Sequence, residues 1–284
     1  MLVTRAVLLA LVLPAAALRV GTAARSTAAR ASTRMSHCNI YPIFTLKDYE
    51  KAKPLMDECV EATKAESGCF YYGWTVNEDK TKLFCRETYV DGSSAGRHLA
   101  AAGPTVTKMI ESGAVELDSI GVMGGPADLF TVKAEADKLG CAYWKVWDSF
   151  DNFAKVGAEM DAASSFCTVQ PTFTINDLAK AEPFMQKCVD ATKTEEGCMY
   201  YGWAISEDGS KLFCREAYVD GAAVNAHILN VVSTVGEMLD SGAVSLDSIE
   251  LHGPKAEWAA CKEEADKLGM VYFDVDSSFG KFVM

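Results

Sequence analysis

Apolar residues in close alternation mark strands, and apolar residues spaced three and four apart mark helices. Residues 38–46 are a first apolar run and predict a strand; Pro42 within it suggests an edge position or a bulge. A helix follows, with Leu55, Met56, Cys59, Val60 and Thr63 on one face. Pro54 is either a first-turn residue or a kink, and Gly68 fits a C-cap. The aromatic-rich runs 69–76 and 82–90, joined by a polar turn, predict a hairpin. A long, polar helix then runs from near Gly92 to near Gly113, followed by a strand over 114–123. A third helix over 126–139 carries Leu129, Val132, Ala136 and Leu139 on one face and stops at Gly140. A short fifth strand is predicted over 142–147.

The whole pattern then occurs again. Residues 37–155 and 166–284 align without a gap at an offset of 129, and 59 of the 119 paired positions are identical. Units of this length are duplicated domains; solenoid periods run at roughly 20–50 residues. The chain divides into a leader over 1–35, a first repeat over 36–155 and a second over 166–284.

Within a repeat the order is β-α-β-β-α-β with an α-β extension. This is an α+β class fold, ferredoxin-like, with helices on one sheet face. Pairing Val76 with Lys82 puts Phe70, Tyr72, Trp74, Phe84 and Arg86 on one face. Tyr71, Leu83, Cys85, Glu87 and Tyr89 fall on the other. Both faces are apolar, so the helices cover one and another sheet must cover the second. The other repeat is the expected supplier, which makes the chain an intrachain pseudo-dimeric barrel. A monomer is the expected state, with higher assembly left open.

Charge narrows the partners. The leader holds five arginines and no acid. The remainder has 22 basic against 39 acidic residues, a net charge of −17. That surface repels nucleic acid and anionic membranes. Residues 6–17 are apolar but too short to span a bilayer, and Ala15, Ala16 and Ala17 give a signal-type cleavage pattern. The Arg/Ser/Thr/Ala-rich stretch that follows resembles the second part of a bipartite plastid presequence, as in algae with secondary plastids. Plastid targeting is the expectation and secretion the alternative, with no membrane span in the mature form. Eight of the ten cysteines form repeat-equivalent pairs. Their place in apolar segments favours buried thiols over disulfides.

Glu66-Ser67-Gly68-Cys69, then Glu87-Thr88-Tyr89, then His98-Leu99 resemble the recurring pattern of the antibiotic biosynthesis monooxygenase (ABM) family. The second copy has Glu195-Glu196-Gly197-Cys198, Glu216-Ala217-Tyr218 and His227-Ile228. Both copies place Tyr where that family usually has Trp, and the resemblance covers about 85 of each 119 residues. It implies a dimeric α+β barrel. It also implies a cofactor-independent monooxygenase whose partners are a phenolic or hydroquinone-type aromatic molecule and O2. His98 and His227 would be bases or donors, Tyr89 and Tyr218 would position the substrate, and Glu87 and Glu216 would orient it or the histidine.

Each candidate has a structural alternative. The histidines also suit a helix surface, the tyrosines an aromatic core and the glutamates a cross-strand ion pair. In haem-degrading relatives a helix histidine binds iron, but the Asn and Trp those proteins use do not recur here: Asn39 is matched by Thr168. Arg86, Arg215, Trp74 and Trp203 are expected on the inter-sheet face. No metal cluster or nucleotide-binding glycine pattern stands out, so no bound cofactor or metal is expected. A non-catalytic small-molecule-binding or stress-response protein is the alternative function.

Overall fold

The computed structural model describes residues 37–153 and 166–281. The leader over 1–35 and the segment joining the two halves lie outside the described residues. The first half comprises β1 (Cys38–Leu46), α1 (Tyr49–Thr63), β2 (Cys69–Asn77), β3 (Lys82–Tyr89), α2 (Gly92–Glu111), β4 (Val115–Gly124), α3 (Pro126–Ala136) and β5 (Ala142–Asp151). The second comprises β6 (Cys167–Ile175), α4 (Leu178–Thr192), β7 (Cys198–Ser206), β8 (Lys211–Tyr218), α5 (Gly221–Asp240), β9 (Val244–Gly253), α6 (Lys255–Lys267) and β10 (Val271–Gly280).

The ten strands close into one barrel in the order β1-β3-β2-β10-β9-β6-β8-β7-β5-β4. The closure depends on β5 and β10. Strand β5 runs parallel to β4 and antiparallel to β7, and β10 runs parallel to β9 and antiparallel to β2. Each therefore joins one half of the ring to the hairpin of the other. That is why β5 is longer than its apolar run: it extends to Asp151, beyond the expected 142–147, because its outer part pairs with Trp203–Tyr200.

Pro42 is not at an edge, because β1 pairs on both sides. The bulge reading holds instead: the β1–β4 register shifts between Ile43 and Phe44. The missing N–H of Pro42 falls where the ladder is already irregular.

The hairpin register differs from the expected one by a single residue. Val76 pairs with Leu83, Trp74 with Cys85 and Tyr72 with Glu87. A one-residue slip exchanges faces. Tyr72, Trp74 and Val76 therefore join Leu83, Cys85, Glu87 and Tyr89 in the core beneath the helices. Trp74 and Trp203 are not seam residues; both lie in helix-side cores. The barrel interior receives Tyr71, Phe84, Tyr200 and Phe213, packed with Tyr41, Met123 and Phe273. Arg86 and Arg215 do enter this interior, as expected.

Caps fix the helix starts. Asp91 accepts from Ser94 N at 2.7 Å to open α2, and Asp220 accepts from Ala223 N at 2.7 Å to open α5. Gly92 is required by a close approach: a Cβ there would stand 2.1 Å from the Asp128 carbonyl oxygen of α3. Gly68 is not the left-handed C-cap the sequence suggested. Helix α1 ends at Thr63, and a Cβ on Gly68 would collide with Ser94 of α2 at 2.2 Å. Gly140 does take the left-handed conformation, with φ 67°. The ten cysteines are all buried, and none forms a disulfide.

Candidate functional site

Beneath α2, three expected residues come together. Strand β3 sends Glu87 and Tyr89 to the same face, two residues apart. The Asp91 cap sets the pitch of α2, so His98, in its second turn, overhangs them. His98 Nε2 lies 3.3 Å from Glu87 Oε2. The Tyr89 hydroxyl donates to the same Glu87 oxygen at 2.7 Å. His98 Nδ1 lies 3.0 Å from Glu66 Oε1, in the loop after α1. The imidazole packs against the rings of Tyr72 and Tyr89, with centroids at 5.4 and 5.1 Å.

The second half builds the same unit. His227 Nε2 lies 3.3 Å from Glu216 Oε2, and Nδ1 lies 3.1 Å from Glu195. Tyr218 donates to Glu216 Oε2 at 2.9 Å. Asn230 adds a hydrogen bond to Glu195 Oε1 at 2.7 Å; the corresponding first-half position is Ala101. All six expected site residues thus fall into two Glu–His–Glu–Tyr chains.

Burial sets their protonation. Burial alone would lower the pKa of His227, but the charges of Glu216 and Glu195 more than reverse it, so it lies above the usual imidazole value. The same balance, with Glu87 and Glu66, raises His98. Burial pushes Glu87 and Glu216 up, against the opposing pull of His98 and His227. The Tyr89 and Tyr218 hydroxyls are raised far above the ordinary phenol value by burial and by the adjacent carboxylates. These tyrosines are neutral donors, and the protonated form of each histidine is favoured by a carboxylate facing each of its ring nitrogens. An imidazolium so held is suited to donating a proton or stabilising an anion, and poorly suited to accepting a proton.

A cavity of about 160 Å³ opens between α5 and the sheet. Glu216 and His227 supply its acid–base pair. The rest is apolar or aromatic, including Tyr201, Trp203, Val231, Val235 and Met270. Tyr218 is not among the lining residues and reaches the cavity through Glu216. Trp203 is buried, and its indole N–H has no acceptor among the described residues.

Sequence reasoning missed two contributors. Glu66 and Glu195 were visible only as motif residues, since nothing local links them to a histidine 32 positions on. Trp203 falls on the wrong face in the expected register. Among the described residues, no group of three or more His, Cys, Asp or Glu side chains is arranged to hold a metal ion, and no helix is long and apolar enough to cross a membrane.

No family model matches the chain, and no curated protein is similar to it. Among solved structures, the chain is similar to a monooxygenase-like protein of Fusobacterium nucleatum. The match has 13% identity over 88% of this chain and 96% of that one, with a TM-score of 0.57. A monooxygenase-like protein of Lactobacillus acidophilus matches at 12% identity over 77% of this chain and 92% of its own, with a TM-score of 0.48. MupZ of Pseudomonas fluorescens is 25% identical over 42% of this chain and 96% of its own, with a TM-score of 0.38. The first of these likenesses covers most of both chains and shows the fold alone, an α+β barrel.

Proposed function

We propose that the chain is a tandem of two ABM-like, ferredoxin-like repeats forming a pseudo-dimer, and that it oxidises a small phenolic or hydroquinone-type molecule with O2. The observation that carries this reading is the apolar cavity whose ionisable lining is the Glu216–His227 pair. An aromatic ring fits the apolar walls. Its hydroxyl would sit at Glu216.

Glu216 is the base in this scheme. Its raised pKa brings it closer to that of a phenol than an exposed carboxylate would be. The phenol proton passes to Glu216, and the phenolate gives one electron to O2. Recombination of superoxide with the ring radical forms a carbon–oxygen bond at the para carbon. Loss of the para hydrogen with cleavage of the O–O bond leaves a quinone. One oxygen atom of O2 remains in the quinone and the other leaves as water. Protonated His227 stabilises the developing peroxide charge and gives its proton to the departing oxygen, the para hydrogen leaves as the proton that completes the water, and the proton held by Glu216 passes back to His227 across their 3.3 Å pair. Glu87 and His98 would do the same in the first repeat. Tyr218 and Tyr89 hold the carboxylates in place. The leader is proposed to direct the chain to a plastid, with secretion as the alternative; fluorescent fusions of residues 1–35 would separate the two.

Oxygen uptake with a panel of phenols, hydroquinones and anthrones tests the activity. With phenols and anthrones that carry a hydrogen para to the hydroxyl, one O2 should be consumed per quinone formed, without hydrogen peroxide; a hydroquinone loses only two electrons and two protons, so its quinone should come with one hydrogen peroxide per O2. The double substitution Glu87→Gln/Glu216→Gln should lower the rate by about 10²–10⁴-fold. An unchanged rate would remove the carboxylates from the mechanism. Tight binding of the panel without uptake would make the protein a binder of small aromatics.

A further inference from the structure

The centre of the barrel presents a second arrangement, separate from the cavity. Arg86 and Arg215 are 1% and 2% exposed. They arise from β3 and β8, which stand opposite each other in the ring. Each reaches across the lumen. Arg215 Nη2 donates to Thr88 Oγ1 at 2.6 Å, two residues along β3 from Arg86. Arg86 Nη1 donates to Thr168 Oγ1 at 2.9 Å on β6 and to the His252 carbonyl at 3.3 Å on β9. Arg86 Nη2 donates to the Tyr71 hydroxyl at 2.7 Å. The Arg86 guanidinium lies over the Tyr71 and Phe166 rings and that of Arg215 over Tyr200.

Among the described residues, neither arginine meets a carboxylate. A guanidinium keeps its charge in a protein. A buried ion without a counter-charge costs several kcal/mol. The neighbours do not supply one. Burial holds the Tyr200 hydroxyl at about 12 despite the pull of Arg215, so it stays neutral. Burial pushes His252 down to about 4, so it is neutral too. The lumen therefore carries two positive charges inside a chain with 39 acidic residues. Two of its donors, Arg215 Nη1 and Arg86 Nε, are buried and have no acceptor among the described residues.

We propose that the barrel lumen binds a small monovalent anion, of halide or formate size, held by the free N–H groups of Arg215 and Arg86. The lumen admits nothing large: a Cβ on Gly73 would stand 2.5 Å from the Tyr71 hydroxyl, and one on Gly202 2.6 Å from that of Tyr200. Water would pair the same donors, and also the unpaired acceptors Asn39 Oδ1 and Gln170 Oε1, but it carries no charge. The anion both pairs the donors and offsets one of the two charges. The site is independent of the cavity chemistry proposed above.

Crystals grown in sodium bromide test this on the intact chain. An anomalous peak in the lumen within hydrogen-bond distance of Arg215 Nη1 is expected; ordered water there and no bromide would overturn the proposal. In solution, raising bromide from its Kd to 100 times that value, at ionic strength held constant with gluconate, should raise the Tm of the wild type by about 5 °C or more along a saturating curve. Arg215→Gln should lose the saturating component. Equal bromide responses in the two proteins would overturn the site, and if Arg215→Gln does not fold the diffraction result decides alone.

Discussion

His227 Nε2 stands 3.3 Å from Glu216 Oε2, on the side of the imidazole opposite the Glu195 carboxylate. Protonated His227 thus turns one N–H towards each of two carboxylates, one lining the apolar cavity and one reaching the protein surface. The folded state binds that proton more tightly than the unfolded chain, whose imidazole has the ordinary value of 6.5. The resulting stabilisation is complete below that value and is lost as pH rises through the folded pKa. His98 has the same sign. Urea unfolding across pH 6–9 should show stability falling towards the alkaline end. The double substitution His98→Gln/His227→Gln should flatten that slope. Glu195→Gln should lower the His227 pKa, read from its ring-proton shifts by NMR, while leaving that of His98 in place.

Two glycines of α5 should respond to alanine in opposite directions. Gly236 lies in the helix interior, with open space where a methyl would go, so Gly236→Ala should stabilise by roughly 0.5–1 kcal/mol. Gly221 begins the helix with its Cβ position 2.0 Å from the Glu257 carbonyl oxygen. Backbone must move to admit a methyl there, so Gly221→Ala should destabilise by about 1–3 kcal/mol. Denaturant midpoints of the two variants against the wild type check both signs.

The thiols should be silent in the native state. Burial raises every cysteine pKa, with Cys141 and Cys261 at about 11 and Cys59 and Cys188 at about 12. Reactivity needs the thiolate and access to it. Ellman's reagent at pH 8 should therefore modify few or none of the ten cysteines in the folded protein and all ten in guanidinium. Cys141 and Cys261, the two with the smallest rises, should be the first to react.

Much of this was legible in the chain because alternation is a local property. Each strand announced which of its own residues share a face, and the duplication exposed the paired histidines. The relation between two strands is not local. The turn from Asn77 to Lys82 permits pairings one residue apart, and the choice depends on the turn itself. There Asn77 Oδ1 accepts from Lys82 N at 2.7 Å and Lys80 adopts φ 56°. That choice sent Trp74 to the helix side, and the matching choice at the second turn, where Ser206 Oγ accepts from Lys211 N at 2.9 Å and Gly209 adopts φ 73°, sent Trp203 there and with it one wall of the cavity. The Glu66–His98 contact was hidden for a related reason. It joins a loop to a helix across the hairpin, and no spacing rule reaches over that distance.

The crossing of β5 and β10 predicts how the halves depend on each other. Without the second half, β5 has no β7 to pair with and β2 loses β10. Each half alone would expose an unpaired sheet edge and the apolar inner face that carries Tyr71 and Phe84 or Tyr200 and Phe213. A protease site placed between Phe153 and Phe166 should therefore cut the chain without separating it. The fragments should co-elute as a 1:1 complex in size-exclusion chromatography and part only in denaturant. Each fragment expressed alone should aggregate or pair with a second copy of itself, which would rebuild the ring with β5 against β2 or β10 against β7. Two soluble, monomeric halves would mean that the ring is not what holds the inner faces together.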